Sequence, residues 1–181
     1  MKFSSRLAIK NLTIVGAGQM GAGIAQVGAV TGHQVVLNDI SEKTLARAQS
    51  GIEKSLKRMT KKMSAEDADA FMTNTLRYVQ FKRDGHRSEG LSIICKNKFS
   101  NLSMTTDLAA SVSNCDLMVE AVIEDLKLKQ KLFVEMENNA PAHAILSTNT
   151  SSLPITEICV NMQDKSRFGG LHFFNPVPVM K

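Results

Sequence analysis

Three glycines near the start of the chain are spaced as a phosphate-binding turn requires. Gly16, Gly18 and Gly21 form the pattern G-x-G-x-x-G, directly after a short apolar run and before a stretch rich in alanine and glycine. The first glycine permits a tight turn, the second lets the backbone approach a pyrophosphate, and the third lets the following helix pack on the strand. Backbone N–H groups around Gln19 and Met20 would then point at the phosphate. In this context the motif predicts a dinucleotide-binding turn, although a tight turn without a ligand would use the same glycines.

A carboxylate follows at the distance that such a turn requires. Asp39 ends the second apolar run, 18 residues after Gly21. A carboxylate there accepts hydrogen bonds from the 2′-hydroxyl of the adenosine ribose and repels a 2′-phosphate. Because no arginine directly follows Asp39 to bind such a phosphate, the sequence favours NAD over NADP. The alternative is that Asp39, with Ser41 nearby, only caps the next helix.

One histidine stands where doubly wound sheets bind their ligands. His172 lies between apolar residues at the end of the last predicted strand, and ligands bind at the carboxyl ends of such strands. Imidazole can accept a hydroxyl proton near neutral pH, which suits the oxidation of an alcohol by hydride transfer. From spacing alone, a structural histidine explains the pattern equally well.

The elements that would position these residues alternate between strand-like and helix-like segments, as in a parallel sheet covered by helices. The predicted strands are Leu12–Val15, Gln34–Leu37, Leu102–Thr105, Leu117–Val122, Ala144–Leu146 and Phe168–Phe174. The predicted helices are Gln19–Thr31, Glu42–Met63, a helix from the capping pair Ser64 and Asp67 to about Leu76, Asp125–Asn139 and Pro154–Asn161. We therefore predict a Rossmann-type α/β fold, with a doubly wound, mostly parallel sheet and a helical excursion after the second strand.

The segment 77–99 does not fit this alternation. It carries six basic and two acidic residues, a net charge of +4 out of the +5 of the whole chain, and one apolar run, Leu91–Cys95. Neither helical nor strand periodicity extends across it. We interpret it as an inserted loop in a single domain that spans residues 1–181.

Composition argues against several other classes of protein. No run of residues approaches the roughly 18 apolar residues that a membrane helix needs. The three cysteines and four histidines are scattered, so neither a disulfide framework nor a metal site is predicted. With one tyrosine and no tryptophan, and with most of the charge in one segment, the chain is not predicted to bind nucleic acid. The basic residues 1–10 are no secretory signal; they fit a short mitochondrial presequence and a simple basic terminus equally.

Five motifs follow one another along the chain. They are G-A-G-Q-M-G-A-G-I-A-Q from Gly16, V-V-L-N-D ending at Asp39, V-E-A-V-I-E-D-L-K from Val119, S-T-N-T-S-S-L from Ser147 and H-F-F-N-P-V-P from His172. Together they resemble the 3-hydroxyacyl-CoA dehydrogenase family nearly end to end, in family order and with family spacing everywhere except across 77–99. The resemblance implies the strand order 3-2-1-4-5-6 and NAD as the cofactor.

The resemblance also implies roles around the reacting centre. His172 matches the family's general base, which deprotonates the 3-hydroxyl group while hydride leaves C3 for the nicotinamide. Ser151 and Asn175 match residues that hold the substrate oxygen and the nicotinamide side of the site. From the sequence alone, Ser151 could instead cap the helix that begins at Pro154.

Four further positions match ligand contacts of the family. Glu124 and Lys129 match NAD contacts, and Ser55 and Lys62 match contacts to the CoA moiety. Ser55 and Lys62 are seven residues apart and so share one face of a helix. The alternatives are that Glu124 only occupies the first turn of its helix and that Lys62 belongs to a solvated basic stretch.

The family pattern continues beyond Lys181. By resemblance, a helical domain there supplies the contacts of a homodimer and closes over the acyl-CoA, and a glutamate pairs with the catalytic histidine. The implied activity is that of an L-3-hydroxyacyl-CoA dehydrogenase of fatty-acid β-oxidation, in the mitochondrial matrix or alternatively in the cytoplasm. Because this chain lacks that domain, we expect NAD binding with at most trace turnover. The alternative function is a truncated NAD-binding module without turnover.

Overall fold

A computed structural model of the protein describes residues 9–75 and 101–180. Its strands are β1 (Asn11–Val15), β2 (Gln34–Asn38), β3 (Leu102–Thr105), β4 (Leu117–Glu120), β5 (Ile145–Thr148) and β6 (Phe168–Gly170). Its helices are α1 (Gln19–Val30), α2 (Glu42–Met59), α3 (Ala65–Thr75), α4 (Leu108–Val112), α5 (Leu126–Asn139) and α6 (Ile155–Ile158), and 3-10 turns span Thr60–Lys62 and Lys165–Arg167. The sequence predictions for residues 1–8 and for the insertion 77–99 lie outside the described residues.

The six strands form one parallel sheet in the order β3-β2-β1-β4-β5-β6, which confirms the predicted fold class and strand order. β1 is paired with β2 on one side and with β4 on the other, so that Val15 lies opposite both Asn38 and Glu120. The direction of winding reverses at β1. In sheets of this kind, ligands bind in the crevice outside the carboxyl ends of the strands at that reversal.

Apolar side chains are buried on both faces of the sheet. Ile14 and Leu37 belong to the core beneath α1 and α2, whereas Met118, Leu146 and Phe133 belong to the core beneath α4, α5 and α6. All five are 0% exposed. Burial of each such side chain contributes roughly 1.5–3 kcal/mol to the stability of the fold. The strands are near-continuous apolar runs because helices cover the sheet on both faces.

Side-chain caps begin several of the helices. Ser41 accepts a hydrogen bond from the backbone N–H of Thr44 at the start of α2, and Asp125 caps α5 in the same way. The capping pair predicted for α3 is confirmed, because Ser64 Oγ accepts from Asp67 N and donates to Asp67 Oδ2. Each such cap is worth about 1 kcal/mol.

Several element ends differ from the sequence predictions. β6 ends at Gly170 rather than at Phe174. Beyond β6, Phe173 N donates to the side chain of Asn149 instead of to the backbone of a strand. The helix predicted to end at Asn161 is a single turn, and the helix predicted to reach Met63 tightens into a 3-10 turn after Met59. The five-residue α4 was not predicted, since it is too short to show a helical period.

Asp116 fixes the start of the central strand. Its Oδ2 accepts hydrogen bonds from the backbone N–H groups of Lys10 and Asn11, each at 2.8 Å, and its Oδ1 lies 3.2 Å from His143 Nε2. The bond from Asn11, followed by that from Lys10, lowers the pKa of this carboxyl group. Such a group stabilises the fold above the ordinary aspartate pKa, about 4, and the stabilisation is lost as the pH falls through the lowered pKa.

We therefore expect Asp116→Asn to lower the free energy of unfolding by about 1 kcal/mol at neutral pH, a modest value because the side chain is partly exposed. The difference from the wild type should narrow as the pH falls below about 4. Urea unfolding across this pH range measures it, with Glu135→Gln on the exposed face of α5 as the matched control. An undiminished difference at about pH 3 would contradict the role of the charge.

Candidate functional site

The glycine-rich turn between β1 and α1 brings three backbone segments into contact. Gly16 has a φ of +103°, and its N–H donates to Asn38 O at 2.8 Å. A Cβ at Gly16 would lie 2.6 Å from Ala121 O, and one at Gly21 would lie 1.7 Å from Gly16 O. Both positions therefore require glycine because of neighbouring backbone. At Gly18, by contrast, a Cβ would meet no protein atom within 4 Å.

The open space at Gly18 has the properties of a phosphate site. Gly18 is the N-cap of the twelve-residue helix α1, whose first backbone N–H groups, including those of Gln19 and Met20, have no partner within the helix. The aligned peptide dipoles give this end a partial positive charge. An anionic group can thus approach the backbone at Gly18 without meeting a side chain, which fits the pyrophosphate of a dinucleotide.

Asp39 lies at the end of β2, directly beside this turn. Its Oδ2 accepts from Ala17 N and its Oδ1 from Ser41 N, both at 2.9 Å. Because Ser41 is the cap of α2, the alternative that Asp39 caps this helix does not hold. Each carboxylate oxygen has a second lone pair, so Asp39 can still accept a hydrogen bond from a ribose hydroxyl. Its use for this purpose stays a prediction.

A cleft of about 540 Å³ lies between Asp39, the glycine turn and the loop after β4. Ile40 and Ile123 both line it, and their side chains are 96% and 71% exposed. Exposed isoleucines on the two sides of a cleft can hold a planar apolar group such as a nucleobase. We had not predicted these two residues, although each is a large apolar residue just beyond the end of a strand.

The segment after β6 carries His172 at the carboxyl edge of the sheet. The backbone on both sides of His172 is tied to the end of β5, since Leu171 N donates to Thr148 O and Phe173 N donates to Asn149 Oδ1. The imidazole is exposed, and its centroid lies 4.7 Å from the ring of Phe174, at 64° between the planes. His172 is thus fixed through its backbone, with its ring free to meet a substrate.

The same segment then folds back over the start of α1. Asn175 Oδ1 accepts a hydrogen bond from Gln19 Nε2 at 3.2 Å, so Asn175 lies beside the glycine-rich turn. Its predicted contact with a substrate stays a prediction. Further on, Val177 is buried in the core beside Gly23. A Cβ added at Gly23 would lie 3.0 Å from the Cβ of Val177. This close packing fixes the segment that carries both His172 and Asn175.

Ser151 lies in the turn after β5, with its side chain exposed. It is Thr150, rather than Ser151, whose hydroxyl accepts from the backbone N–H groups of Ser152 and Leu153. The alternative that Ser151 caps the helix at Pro154 therefore does not hold, because α6 begins without a side-chain cap. Ser151 remains available to a ligand.

Glu124 and Lys129 are brought together, but they differ in exposure. The Glu124 side chain is 43% exposed and accepts a hydrogen bond from Thr150 Oγ1 at 2.8 Å. Lys129 is 1% exposed, and its Nζ donates to Glu120 Oε1 at 2.7 Å and lies 3.6 Å from Glu124 Oε2. The structure thus places Lys129 in a buried ion pair, which the sequence pattern did not indicate.

A second cleft, of about 470 Å³, lies between α1, α2 and the segment after β6. Ser55 lines it together with Arg47, Gln19 and Asn175. The side chain of Lys62 lies outside the described part of the structure, so the predicted pairing of Lys62 with Ser55 is not tested. Within residues 9–75 and 101–180, no group of three potential metal ligands is found, and no helix is long and apolar enough to cross a membrane.

A parallel doubly wound sheet, a phosphate-binding turn at the winding reversal and a carboxylate at the end of β2 define a dinucleotide-binding domain. Residues 11–181 match the family model described as 3-hydroxyacyl-CoA dehydrogenase, NAD binding domain. The chain belongs to the 3-hydroxyacyl-CoA dehydrogenase family, a family of oxidoreductases, and its cofactor is NAD, as the sequence predicted.

Named relatives agree with this assignment. The mitochondrial hydroxyacyl-coenzyme A dehydrogenase of Rattus norvegicus is 46% identical over 179 residues, which cover 97% of this chain and 50% of the relative. A probable 3-hydroxyacyl-CoA dehydrogenase of Caenorhabditis elegans is 42% identical, with 96% and 50% covered. The chain thus spans about half the length of the curated relatives it matches.

Solved structures show the same fold. The crystal structure of 3-hydroxybutyryl-CoA dehydrogenase from Escherichia coli K12 is similar with a TM-score of 0.75 at 36% identity, covering 97% of this chain and 32% of that one. The structure of FadB2 from M. tuberculosis is similar with a TM-score of 0.74 at 33% identity, covering 96% and 52%.

The contrast between the glycines of the turn yields a prediction. Gly18 has a φ of −65°, which alanine adopts readily, and open space at its Cβ. Gly18→Ala should therefore change the free energy of unfolding by less than about 1 kcal/mol, yet raise the Kd for NAD at least about tenfold, because the methyl group would occupy the phosphate position.

Calorimetric titration with NAD and thermal unfolding measure the two effects. Gly169→Ala is the matched control, because Gly169 also has open space at its Cβ but lies on the edge strand β6. An unchanged Kd in Gly18→Ala would place the pyrophosphate elsewhere.

Proposed function

We propose that the protein catalyses the NAD-dependent oxidation of an L-3-hydroxyacyl-CoA to the 3-oxoacyl-CoA. The observation that carries the proposal is the position of His172. It lies at the carboxyl edge of the sheet, on a segment whose Asn175 contacts Gln19 beside the phosphate-binding turn. A base held beside a coenzyme site is the minimum that this reaction requires.

In the proposed reaction His172 accepts the proton of the 3-hydroxyl group at an imidazole nitrogen. NAD bound at the glycine-rich turn would supply the acceptor for the hydride that leaves C3, so that the C–O single bond becomes a carbonyl. Ser151 and Asn175 hold the substrate oxygen, Ser151 as a hydroxyl donor and Asn175 through its amide N–H, since its Oδ1 already accepts from Gln19. Glu124 accepts a hydrogen bond from the coenzyme through its exposed carboxylate.

The cleft beside α2 is the proposed site of the CoA moiety. Ser55 contributes a hydroxyl group there, and Lys62 is proposed to supply positive charge for the phosphates. Its volume of about 470 Å³ suits part of an extended ligand.

The biological setting is proposed from the relatives. Those from rat, mouse, human and pig are named mitochondrial, which supports fatty-acid β-oxidation in the mitochondrial matrix, with the cytoplasm as the alternative. Bacterial relatives are named for 3-hydroxyadipyl-CoA and 3-hydroxybutyryl-CoA, so several acyl groups are compatible with the fold. We propose that the working form is a homodimer, built through the part of the relatives that this chain does not span.

A second candidate is an NAD-binding module without turnover. It is supported by the phosphate-binding turn and Asp39, which form a coenzyme site without any contribution from His172. The two candidates share the coenzyme site and differ only in whether His172 receives a proton from a substrate.

Removal of the Asp39 charge tests the proposed coenzyme specificity. Asp39→Ala should weaken NAD binding by about 1–3 kcal/mol, because charge-assisted bonds to the ribose are lost. NADP binding should weaken less or improve, since the repulsion of a 2′-phosphate is removed. Titration with both dinucleotides measures this, with Asp164→Ala, at the amino end of β6, as the control. Equal losses for both dinucleotides would reject the role of Asp39.

Turnover distinguishes the two candidates. With L-3-hydroxybutyryl-CoA and NAD, the protein should form NADH, because His172 can accept the proton of the 3-hydroxyl group. His172→Ala should abolish this rate while the Kd for NAD changes less than about twofold, since His172 interacts with the coenzyme only through the substrate. Absorbance of NADH measures the rate, and the D isomer is the control. NADH formation that equals the His172→Ala background would favour the module without turnover.

A further inference from the structure

The buried pair of Glu120 and Lys129 has no role in the reaction as described so far. Glu120 ends β4 and is 0% exposed, and Lys129 on α5 is 1% exposed. Moving two charges out of water costs several kcal/mol for each ion, and well-packed apolar residues of the same volume are often at least as stabilising. Stability alone therefore does not explain why charged residues occupy these two positions.

Both oxygens of the Glu120 carboxylate are bonded. Oε1 accepts from Val122 N and from Lys129 Nζ, each at 2.7 Å. Oε2 accepts from Thr148 Oγ1, also at 2.7 Å. One carboxylate thus joins the loop after β4, helix α5 and the end of β5.

Two paths of contacts lead from this carboxylate to Glu124. In the first, Lys129 Nζ lies 3.6 Å from Glu124 Oε2. In the second, Thr148 Oγ1 accepts from Thr150 N at 3.2 Å, and Thr150 Oγ1 donates to Glu124 Oε2 at 2.8 Å. The exposed carboxylate of Glu124 is therefore held by two buried residues, through the ammonium of Lys129 on α5 and the hydroxyl of Thr150 after β5.

We propose that Glu120 is a positioning residue for the nicotinamide-ribose end of the coenzyme site. Through Lys129 and Thr150 it holds the Glu124 carboxylate where the coenzyme ribose would meet it. Lys129 contributes to this support because its ammonium lies 2.7 Å from Glu120 Oε1 and 3.6 Å from Glu124 Oε2. The inference rests on the proposed function, in which Asp39 and Glu124 both bind the coenzyme. Glu124 is assigned to the nicotinamide end because it is bonded to Thr150 after β5, and the end of β5 also bonds the backbone on both sides of His172.

The adenosine end is held by different bonds. Asp39 is bonded to Ala17 and Ser41, and neither of these residues contacts the Thr150 hydroxyl or the Lys129 ammonium. Glu120 is bonded to Val122 N beside this end, but glutamine at position 120 keeps an oxygen that can accept this bond. Substitution of Thr150, or of Glu120 by glutamine, should therefore affect the two ends of the coenzyme differently. ADP, which carries only the adenosine and the two phosphates, is the probe for the end that should not change.

The first variant is Thr150→Val, which removes the hydroxyl that bonds Glu124. It should raise the Kd for NADH about tenfold, the effect of one hydrogen bond to a charged group, and leave the Kd for ADP within about twofold. Thr150→Ser restores the hydroxyl and should restore the NADH affinity. Thr13→Val is the matched control, because Thr13 is equally buried and its hydroxyl bonds Ser111 O outside the network.

The second variant removes both buried charges. Glu120→Gln alone leaves the Lys129 ammonium without its buried partner and should lower the thermal unfolding temperature. Glu120→Gln combined with Lys129→Met leaves no unpaired buried charge, and should unfold near the wild-type temperature while still binding NADH about tenfold more weakly. If the pair of Glu120 and Lys129 were purely structural, the double variant would regain the wild-type affinity for NADH together with the wild-type stability.

The outcomes separate this inference from the proposed function. A selective loss of NADH affinity in Thr150→Val and in the double variant, with ADP unaffected, supports the positioning role. Equal losses for NADH and ADP, or a fall in unfolding temperature with no change in either Kd, would overturn it. The proposed reaction is judged separately, by NADH formation and its dependence on His172.

Discussion

The backbone at Gly16 lies so close to the loop after β4 that no side chain fits between them: a Cβ would be 2.6 Å from Ala121 O. This contact exists because β1 is paired with both β2 and β4, so their carboxyl ends converge at the reversal of the sheet. The turn, the end of β2 and the loop after β4 can therefore surround one ligand. The remaining features of the site are built around these three segments.

A second layer of contacts joins the outer strands to this centre. The end of β5 binds the backbone on both sides of His172, and Asn175 reaches back to Gln19 at the start of α1. Buried Glu120 bonds the end of β5 from below. The proposed base His172, the glycine-rich turn and the buried carboxylate of Glu120 are thus connected by hydrogen bonds. Such connections matter because catalytic rates are sensitive to displacements of about 1 Å.

The parts that could be predicted from the sequence are those with a strong local pattern. The glycine turn and five of the six helices follow from local motifs and apolar periodicity, and the strand order came from the resemblance to a family. β6 was predicted too long: Phe173 N donates to the side chain of Asn149, which lies after β5 and is 24 residues away in the sequence, instead of to a strand backbone. The burial of Lys129 could not be predicted from the sequence either. Its partner Glu120 is nine residues away, and a lysine in a segment with other charged residues is usually exposed to solvent.

The hydrogen bond from Gln19 to Asn175 lies between the two clefts, and Gln19 lines both of them. A ligand that binds one cleft more tightly when this hydrogen bond is formed would stabilise the bonded arrangement. The ligand of the other cleft would then meet a larger fraction of the protein in that arrangement. Thermodynamic linkage then requires the effect to be reciprocal, with each ligand changing the affinity for the other by the same factor. One amide pair on the wall between two clefts is thus a physical route by which ligands of the two clefts would affect each other's binding within a single domain.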